Sequence, residues 1–203
     1  MKKLLLLFIV FVLFSCKTDQ EKLEQKVKSN IETYVGYLSQ NAKLDISNIV
    51  ITKIDSISTY REMEILNNIL QAEFNRKYED KADIGIQLEK SENSLKLSEQ
   101  INQTSNFQSV VDNNRSERNN LKTEFEKLNA EAWSINDKMN ILLTKSTRAN
   151  KKDLKAFVAN VKYTVKYKDS SIEPIEKLFF LSKDGEVYNE EVYIKNLKAE
   201  YLK

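Results

Sequence analysis

The residue with the most distinctive chemistry is Cys16, the only cysteine in a chain of 203 residues that contains no histidine. A lone thiol cannot form a disulfide within its own chain. The absence of histidine excludes histidine-based catalytic triads and zinc sites that combine histidine with cysteine. The segment that precedes Cys16 must therefore indicate what its thiol does.

That segment has the pattern of a secretory leader. Lys2 and Lys3 form a positive start, and residues 4–14 are an unbroken apolar run of eleven. A helix needs roughly 20 residues to cross a bilayer core, whereas eleven suit the apolar region of a signal peptide. The run ends in Leu13-Phe14-Ser15-Cys16, which resembles the lipobox of bacterial lipoproteins. Phe14 departs from the commonest small residue there, but such bulky residues occur in lipoproteins of Bacteroidetes-type bacteria.

The resemblance implies a lipid anchor. Residues 1–15 would be a signal peptide cleaved between Ser15 and Cys16, and Cys16 would carry diacylglycerol on its thiol and an acyl chain on its new amino group. Two or more acyl chains hold a protein stably on a bilayer. Lys17, rather than the aspartate of inner-membrane retention signals, favours the outer membrane facing the periplasm. Asp19 and Glu21 near Lys17 resemble export signals, so surface exposure is an open alternative.

Other catalytic or binding chemistry is weakly represented. Acid–base catalysis needs paired carboxylates in a pocket, but Glu173 with Glu176 and Glu190 with Glu191 stand where solvated turns and a helix start are expected. The three glycines are too far apart for a phosphate loop. Without the leader's two lysines, basic and acidic side chains are equal in number, which argues against nucleic-acid binding. We therefore expect no enzyme activity, cofactor or metal.

The elements that carry Cys16 form an α+β domain. Thr18 and Glu21 match a capping box, and apolar residues spaced by three and four predict a helix over 18–41. Alternating or β-branched runs predict strands near 47–57, 155–168, 175–182 and 186–188. The helix is expected to cover the apolar strand face of Phe157, Tyr163 and Tyr167; the alternative is a ligand pocket behind that face. Residues 190–202 favour a final helix with Val192, Leu197 and Tyr201 on its apolar face.

Between the first two strands, residues 59–148 predict a helical hairpin. Capping boxes at Thr59 and Ser105 precede two helical stretches, about 60–102 and 106–148. The second stretch carries a coiled-coil seam: Leu121, Phe125, Leu128, Ala132, Ile135, Met139 and Leu142. Reversal near Thr104 would place residues opposite each other when their numbers add to about 209. Matching pairs are Leu88 with Leu121, Ile84 with Phe125, Phe74 with Ile135, Leu70 with Met139, and Leu66 with Leu143. Gly85 and residues 77–81 are expected to interrupt the first stretch.

The predicted architecture is an α+β domain, residues 16–58 and 149–203, in which an N-terminal helix packs on a small antiparallel sheet and the hairpin is inserted between strands. It resembles small lipoproteins of Bacteroidetes with a cystatin-like or NTF2-like layout. The expected function is that of a non-enzymatic envelope lipoprotein whose hairpin is a protein-interaction or spacer element. The alternative is a small-ligand-binding module.

The hairpin offers one candidate contact. Trp133 and Arg76 are expected at the same level, either as an exposed cation–π pair or with Trp133 anchoring a protein partner. The partner's identity and the oligomeric state stay open.

Overall fold

The structure, a computed structural model, describes residues 19–42, 44–103 and 107–203, with side chains described from residue 21 onward. Within these ranges the chain is an α+β protein with four helices and a three-stranded antiparallel sheet. The elements in chain order are α1 (Asp19–Ala42), β1 (Asp45–Ile57), α2 (Thr59–Asn102), α3 (Gln108–Ser146), β2 (Ala156–Lys166), β3 (Ile172–Leu181) and α4 (Glu190–Tyr201). The predicted α+β class is confirmed.

The chain divides into two compact units. The α+β unit comprises the described residues up to Glu62 together with Asn150–Glu200. The helical unit comprises Met63–Ala149 with Tyr201–Lys203. The chain thus leaves the α+β unit shortly after β1 and returns to it shortly before β2.

The sheet has the strand order β1-β2-β3, with both pairs antiparallel. Its central strand, β2, pairs with β3 without interruption from Phe157↔Leu181 to Lys166↔Ile172. The pairing of β1 with β2 shifts register between Ser47 and Val50 and again between Ile51 and Lys53. Asn48 lies within the first irregularity and has a φ of 54°, a left-handed conformation that asparagine tolerates better than most residues. These irregularities bend an edge strand, which discourages pairing with other chains.

The core of the α+β unit lies between α1 and one face of the sheet. Val27, Ile31 and Val35 of α1 are buried in one apolar cluster with residues of β2 and β3, namely Phe157, Ala159, Val161, Phe179 and Leu181. Tyr34 contacts the ring of Phe179 edge to face, with 6.0 Å between the ring centroids. The helix therefore covers the apolar strand face at Phe157 and packs against Tyr163, as the sequence indicates. Tyr167, expected on the same covered face, is exposed beyond the end of β2.

The segment after β3 departs from the prediction. Residues 186–188 do not form a strand; Val187 makes a single bridge to Leu181. Gly185 turns the chain with a φ of +78°, and the amides of Glu191 and Val192 bond the Asn189 side chain at the start of α4. Too few residues separate the turn from this cap for a strand to extend.

The apolar face of α4 differs from the prediction at one residue. Tyr193, Leu197 and Tyr201 are buried, whereas Val192, expected on this face, is half exposed. The Tyr193 ring stacks on those of Phe180 and Tyr188. Burial, reinforced by the hydrogen bond that its hydroxyl donates to Glu62, raises the pKa of Tyr193 far above its usual value.

Helix α2 begins differently from the predicted capping box. The cap is Ser58, whose hydroxyl and carbonyl oxygens accept hydrogen bonds from the amides of Arg61 and Glu62. Thr59 donates both its amide and its hydroxyl hydrogen to Asp153 instead, and these bonds lower the pKa of Asp153. The Tyr60 amide bonds the Asn150 carbonyl at 3.1 Å. The two chain segments that connect the units are thereby held side by side.

The two long helices, α2 and α3, are called the helical pair below. Helix α2 is continuous from Thr59 to Asn102, so the expected interruption at Gly85 and residues 77–81 is wrong. Phe107 precedes α3 and caps it without a side-chain hydrogen bond. Thr18, Thr104 and Ser105, which the predicted caps and reversal involve, lie outside the described residues.

Side-chain contacts join the helical pair in reversed chain order. Lys77 contacts Glu131, Lys81 contacts Asn129, and Asn114 contacts the Ser94 carbonyl. A Cβ added to Gly85 would lie 3.4 Å from the Phe125 ring. The positions of these contacts along the two helices agree with the pairing predicted from residue numbers, except at the end of α3. There Leu143 is 66% exposed and Leu142 is buried, because the step from Met139 to Leu142 continues the seam and Leu143 lies beyond it.

Candidate interaction surface of the helical pair

Buried and half-buried residues define a seam along both helices. On α3 the steps alternate between three and four from Val111 to Leu142, which is the spacing of a coiled coil. On α2 the same spacing continues from Phe74 to Ser98, and one extra step of four separates Leu70 from Phe74. The seam residues of α2 are Met63, Leu66, Leu70, Phe74, Lys77, Lys81, Ile84, Leu88, Ser91, Leu95 and Ser98.

Two lysines occupy seam positions in the middle of α2. The Lys77 ammonium lies 2.6 Å from a Glu131 carboxylate oxygen, and the Lys81 ammonium donates to the Asn129 side-chain oxygen at 2.7 Å. The Lys81 ammonium also lies 5.6 Å from the centroid of the Tyr78 ring and 5.2 Å from that of Phe125. Long lysine side chains can lie along apolar surface while their charge meets a partner. This explains why α2 continues where the sequence indicated a break.

The seam divides the surface of the helical pair into two sides. In an antiparallel pair, the residues that directly follow seam positions lie on one side for both helices, and those that directly precede them lie on the other. The contacts agree with this rule. Lys81 meets both Tyr78 and Asn129, which follow seam residues, whereas Asp80, Asp83, Glu124 and Glu131, which precede them, line one shared groove.

The uncharged side consists of residues that follow the seam between positions 67 and 78 on α2 and between positions 129 and 143 on α3. They are Asn67, Gln71, Asn75, Tyr78, Asn129, Trp133, Asn136, Asn140 and Leu143. Trp133 is 61% exposed, Tyr78 56% and Leu143 66%. Local contacts order this surface, since Gln71 donates a hydrogen bond to Asn75 at 2.9 Å and Tyr78 stacks on Phe74. The uncharged side therefore combines large exposed apolar groups with amides.

The charged side lies across the seam. The residues that directly precede the seam between positions 73 and 83 on α2 and between positions 124 and 138 on α3 are all charged except Ser134: they are Glu73, Arg76, Asp80, Asp83, Glu124, Lys127, Glu131, Ser134 and Lys138. Ile69 and Ile141 lie on the same side just beyond these ranges. Part of it forms a groove of about 390 Å³. The hydrogen bond from Lys77 lowers the pKa of Glu131. Charges of both signs on exposed side chains are typical of a solvated surface.

The two residues proposed as a partner contact are on opposite sides. Trp133 follows the seam residue Ala132, whereas Arg76 precedes the seam residue Lys77. Among the described residues, ring–cation contacts occur at Tyr60, Tyr78 and Phe125 and not at Trp133. The expected cation–π pair of Trp133 with Arg76 is therefore not among the described contacts. Adding residue numbers gives the level of a residue along the helices but not the side on which it lies. The offset of each residue from the seam, readable in the sequence, would have placed Trp133 beside Tyr78 and Asn129.

The predicted lipidation and cleavage residues, Ser15 and Cys16, lie outside the described residues. No helix in the described ranges is both long enough and apolar enough to span a bilayer. The same ranges hold no cluster of three or more Asp, Glu or Cys side chains arranged to bind a metal ion.

The carboxylates weighed for acid–base chemistry make surface contacts along the sheet. Glu173 accepts a hydrogen bond from the Tyr167 hydroxyl at 2.8 Å. Glu176 accepts one from Asn160 and pairs with Lys162, and these contacts lower its pKa. Glu190 pairs with Lys177. A general acid at neutral pH needs a raised pKa, and Glu176 has the opposite shift.

A second groove lies on the α+β unit, between α1 and β1. Its volume is about 280 Å³, and it is lined by Glu24, Lys28 and residues 51–54. It opens at the surface, and two of its lining residues, Ile51 and Ile54, pack against the apolar cluster that α1 forms with β2 and β3. The groove therefore lies beside that cluster, over β1, whereas the pocket considered in the sequence was expected behind the face of β2.

Comparisons with known proteins identify no relative: no family model, no curated protein and no solved structure matches the chain. The resemblance to lipoproteins of Bacteroidetes and to a cystatin-like or NTF2-like layout stays a prediction from the sequence.

Proposed function

We propose that the chain is a lipid-anchored, non-enzymatic protein of the bacterial envelope whose helical pair is an inserted antiparallel hairpin that binds another protein. One observation carries the binding role. The uncharged side exposes Trp133, Tyr78 and Leu143, and exposed tryptophan and tyrosine are frequent energetic anchors of protein interfaces. A hairpin serving only as a spacer would need no such side chains on its surface.

The anchor rests on the leader and Cys16. The signal peptide, lipobox and sole cysteine support acylation of Cys16, and Lys17 supports the outer membrane facing the periplasm. Helix α1 begins at Asp19, so the tether between Cys16 and the α+β unit is short. A short tether keeps that unit close to the bilayer surface.

Insertion of the hairpin is supported by contacts at its base, the end at which α2 begins and α3 ends. Thr59 bonds Asp153 and Tyr60 bonds Asn150, so both connecting segments are held within the α+β unit. The ligand-binding alternative has less support, because α1 fills the strand face behind which its pocket was expected.

Two variants test the proposal in cells. Replacing residues 63–148 by a short flexible linker retains Glu62, Asn150 and the contacts at the base. Loop closure costs little more for a longer loop, so the variant is expected to fold and to stay in the membrane fraction while losing every protein crosslinked to the wild type. A variant that keeps its crosslinked proteins would move the function to the α+β unit.

The second variant, Cys16→Ala, tests the anchor separately. It is expected to lose acyl labelling and to leave the membrane fraction or accumulate as an uncleaved precursor. Efficient acyl labelling of this variant would contradict the lipoprotein proposal without affecting the interaction role of the hairpin.

A further inference from the structure

We infer that the partner of the uncharged side is a second copy of this chain, joined antiparallel through the same surface of both copies about a two-fold axis. This inference rests on the proposed function and names the partner. It is carried by two features of the surface: a second helical stripe on α3, and an order of side-chain types that is the same in either direction between positions 133 and 143 on α3 and between positions 67 and 75 on α2.

The second stripe has the spacing of a helix–helix interface. Trp133, Asn136, Asn140 and Leu143 follow one another at steps of three, four and three, the same spacing as the seam that joins α3 to α2. Such a stripe presents one face of a helix to another helix. Within the helical pair the seam of α3 is already occupied by α2, so the second stripe is available for a helix from outside the pair.

The stripe is symmetric in its chemistry. From either end it presents a large apolar group, two asparagines and a second apolar group. A two-fold axis that crosses α3 at right angles, halfway between Asn136 and Asn140, would place Trp133 against Leu143 of the second copy. The same axis would place Asn136 against Asn140. Each asparagine side chain offers both a donor and an acceptor, so the two amides can bond each other across the axis.

Helix α2 has the same symmetry at the same level. In the reversed pairing of the two helices, Gln71 is level with the midpoint of the stripe, and Asn67 and Asn75 lie four residues to either side of it. The axis would therefore place Gln71 against its own copy and Asn67 against Asn75. The matched amides thus extend over two helices, and four helices from two copies would pack as in a helical bundle.

The charged side lacks this self-complementarity. Lys138 lies on that side at the level of the axis, so the corresponding dimer would place its ammonium against its own copy. Like charges at an interface destabilise it. Along the stripe of α3 and the matched residues of α2, in contrast, no charged side chain meets a like charge. The chemistry therefore favours the uncharged side as the surface that pairs with itself.

Paired cysteine substitutions in the full chain test this inference in intact cells. In the double variant Asn136→Cys/Asn140→Cys, each new thiol faces the other position of the second copy, within bridging distance. Mild oxidation should therefore give a disulfide-linked dimer on a non-reducing gel. The control Ser134→Cys/Lys138→Cys has the same spacing on the charged side. It is expected to run as a single chain on this gel because no disulfide links its copies, as is the wild type, whose own cysteine is Cys16.

A second measurement uses the detergent-solubilised chain without new cysteines. Trp133→Glu removes the largest apolar group of the stripe and places a carboxylate against Leu143 of the second copy. The dissociation constant of the dimer should rise by at least about 10-fold. Ser134→Glu adds the same charge on the other side and should leave the constant within about 2-fold of the wild type.

The outcomes separate this inference from the function on which it rests. Dimers from the control cysteines as readily as from the stripe, or a Trp133→Glu chain that dimerises like the wild type, would overturn the inference. If the stripe cysteines give no dimer but a photo-crosslinker at position 140 captures a different protein, the partner is not a second copy and the proposed function stands. If position 140 captures nothing, both fail.

Discussion

The two sides of the helical pair differ in chemistry although the same two helices form them. On the charged side, negatively charged carboxylates and positively charged lysine ammonium groups line a groove, and Glu131 is paired with Lys77. On the uncharged side, amides surround two exposed aromatic rings, those of Tyr78 and Trp133. Solvation alone explains the first side, because exposed charges interact favourably with water. It does not explain the second, where a tryptophan with 61% of its surface exposed gains nothing from water.

The seam between these sides is itself divided. Toward the base of the pair it is apolar, with Leu66, Leu70 and Leu142 fully buried. Farther along, Lys77 and Lys81 enter it and place their charges toward Glu131 on one side and Asn129 on the other. The most completely buried apolar residues of the seam therefore lie near the base. At the level of the two lysines, the seam is connected to both sides of the pair by their contacts.

The largest expected effect is on the free energy of unfolding and compares two neighbouring leucines: Leu142 lies in the seam and Leu143 on the uncharged side. Leu142→Ala removes a fully buried side chain and should lower the free energy of unfolding by about 2–5 kcal/mol. Leu143→Ala, at a residue 66% exposed, should change it by no more than about 0.5 kcal/mol. Urea unfolding followed by circular dichroism measures both. Equal losses would mean that the seam does not run through Leu142.

An intermediate effect is expected at Gly85, which directly follows the seam on α2. Gly85→Ala should raise the free energy of unfolding by up to about 1 kcal/mol, because alanine favours a helix interior over glycine and the new Cβ would meet the Phe125 ring at an ordinary contact distance of 3.4 Å. Thermal unfolding of both proteins gives the change.

The matched control for that substitution is Gly36→Ala. Gly36 lies in α1, where an added Cβ would meet nothing within 4 Å, so this variant reports the helix preference alone. A Gly85→Ala protein less stable than the wild type would show that α2 and α3 approach too closely at this level for a Cβ.

The smallest expected effect concerns the charged side and appears as a pH dependence. Lys77 lowers the pKa of Glu131 below its ordinary value of 4.5. The stability that this carboxylate contributes is therefore fully present above that pH and is lost as the pH falls through the lowered pKa. Glu131→Gln should lower stability near neutral pH and have no effect in strong acid.

Unfolding titrations at several pH values follow this difference. In a Lys77→Gln background, Glu131→Gln should add much less pH dependence, because the main group that lowers the pKa is gone and only Lys127 still lowers it. An undiminished pH dependence in that background would mean that Lys77 is not the main cause of the shift.

The sequence predicts those parts of the fold that periodicity determines. Alternation in β2 and the spacing of Val27 and Ile31 in α1 each place residues on one face, and those faces meet in the core. The seam of α3 was predictable for the same reason. Periodicity alone does not distinguish Tyr34 from Val35 on α1, because both follow Ile31 at a helical step of three or four, and Val35 is the one that is buried.

Features that depend on a partner distant in sequence were not predictable. Thr59 looked like a cap in its local sequence, but Asp153 binds it, and Ser58 caps α2 instead. Lys77 and Lys81 looked like interruptions because their partners lie on the other helix. For Trp133 the necessary signal was present in the sequence. Because it directly follows a seam residue, its side of the helical pair could be predicted; its level along the pair gives no information about the side.

We propose that the uncharged side, and not the charged side, binds a protein. Positions 138 and 140 test it most directly, because both are exposed, only one residue separates them, and they flank the seam residue Met139 on opposite sides. A photo-activated amino acid placed at each position in the otherwise unchanged chain should, on illumination of intact cells, give one discrete protein adduct from position 140 and none from position 138. The same adduct from both positions, or an adduct from position 138 alone, would contradict the account.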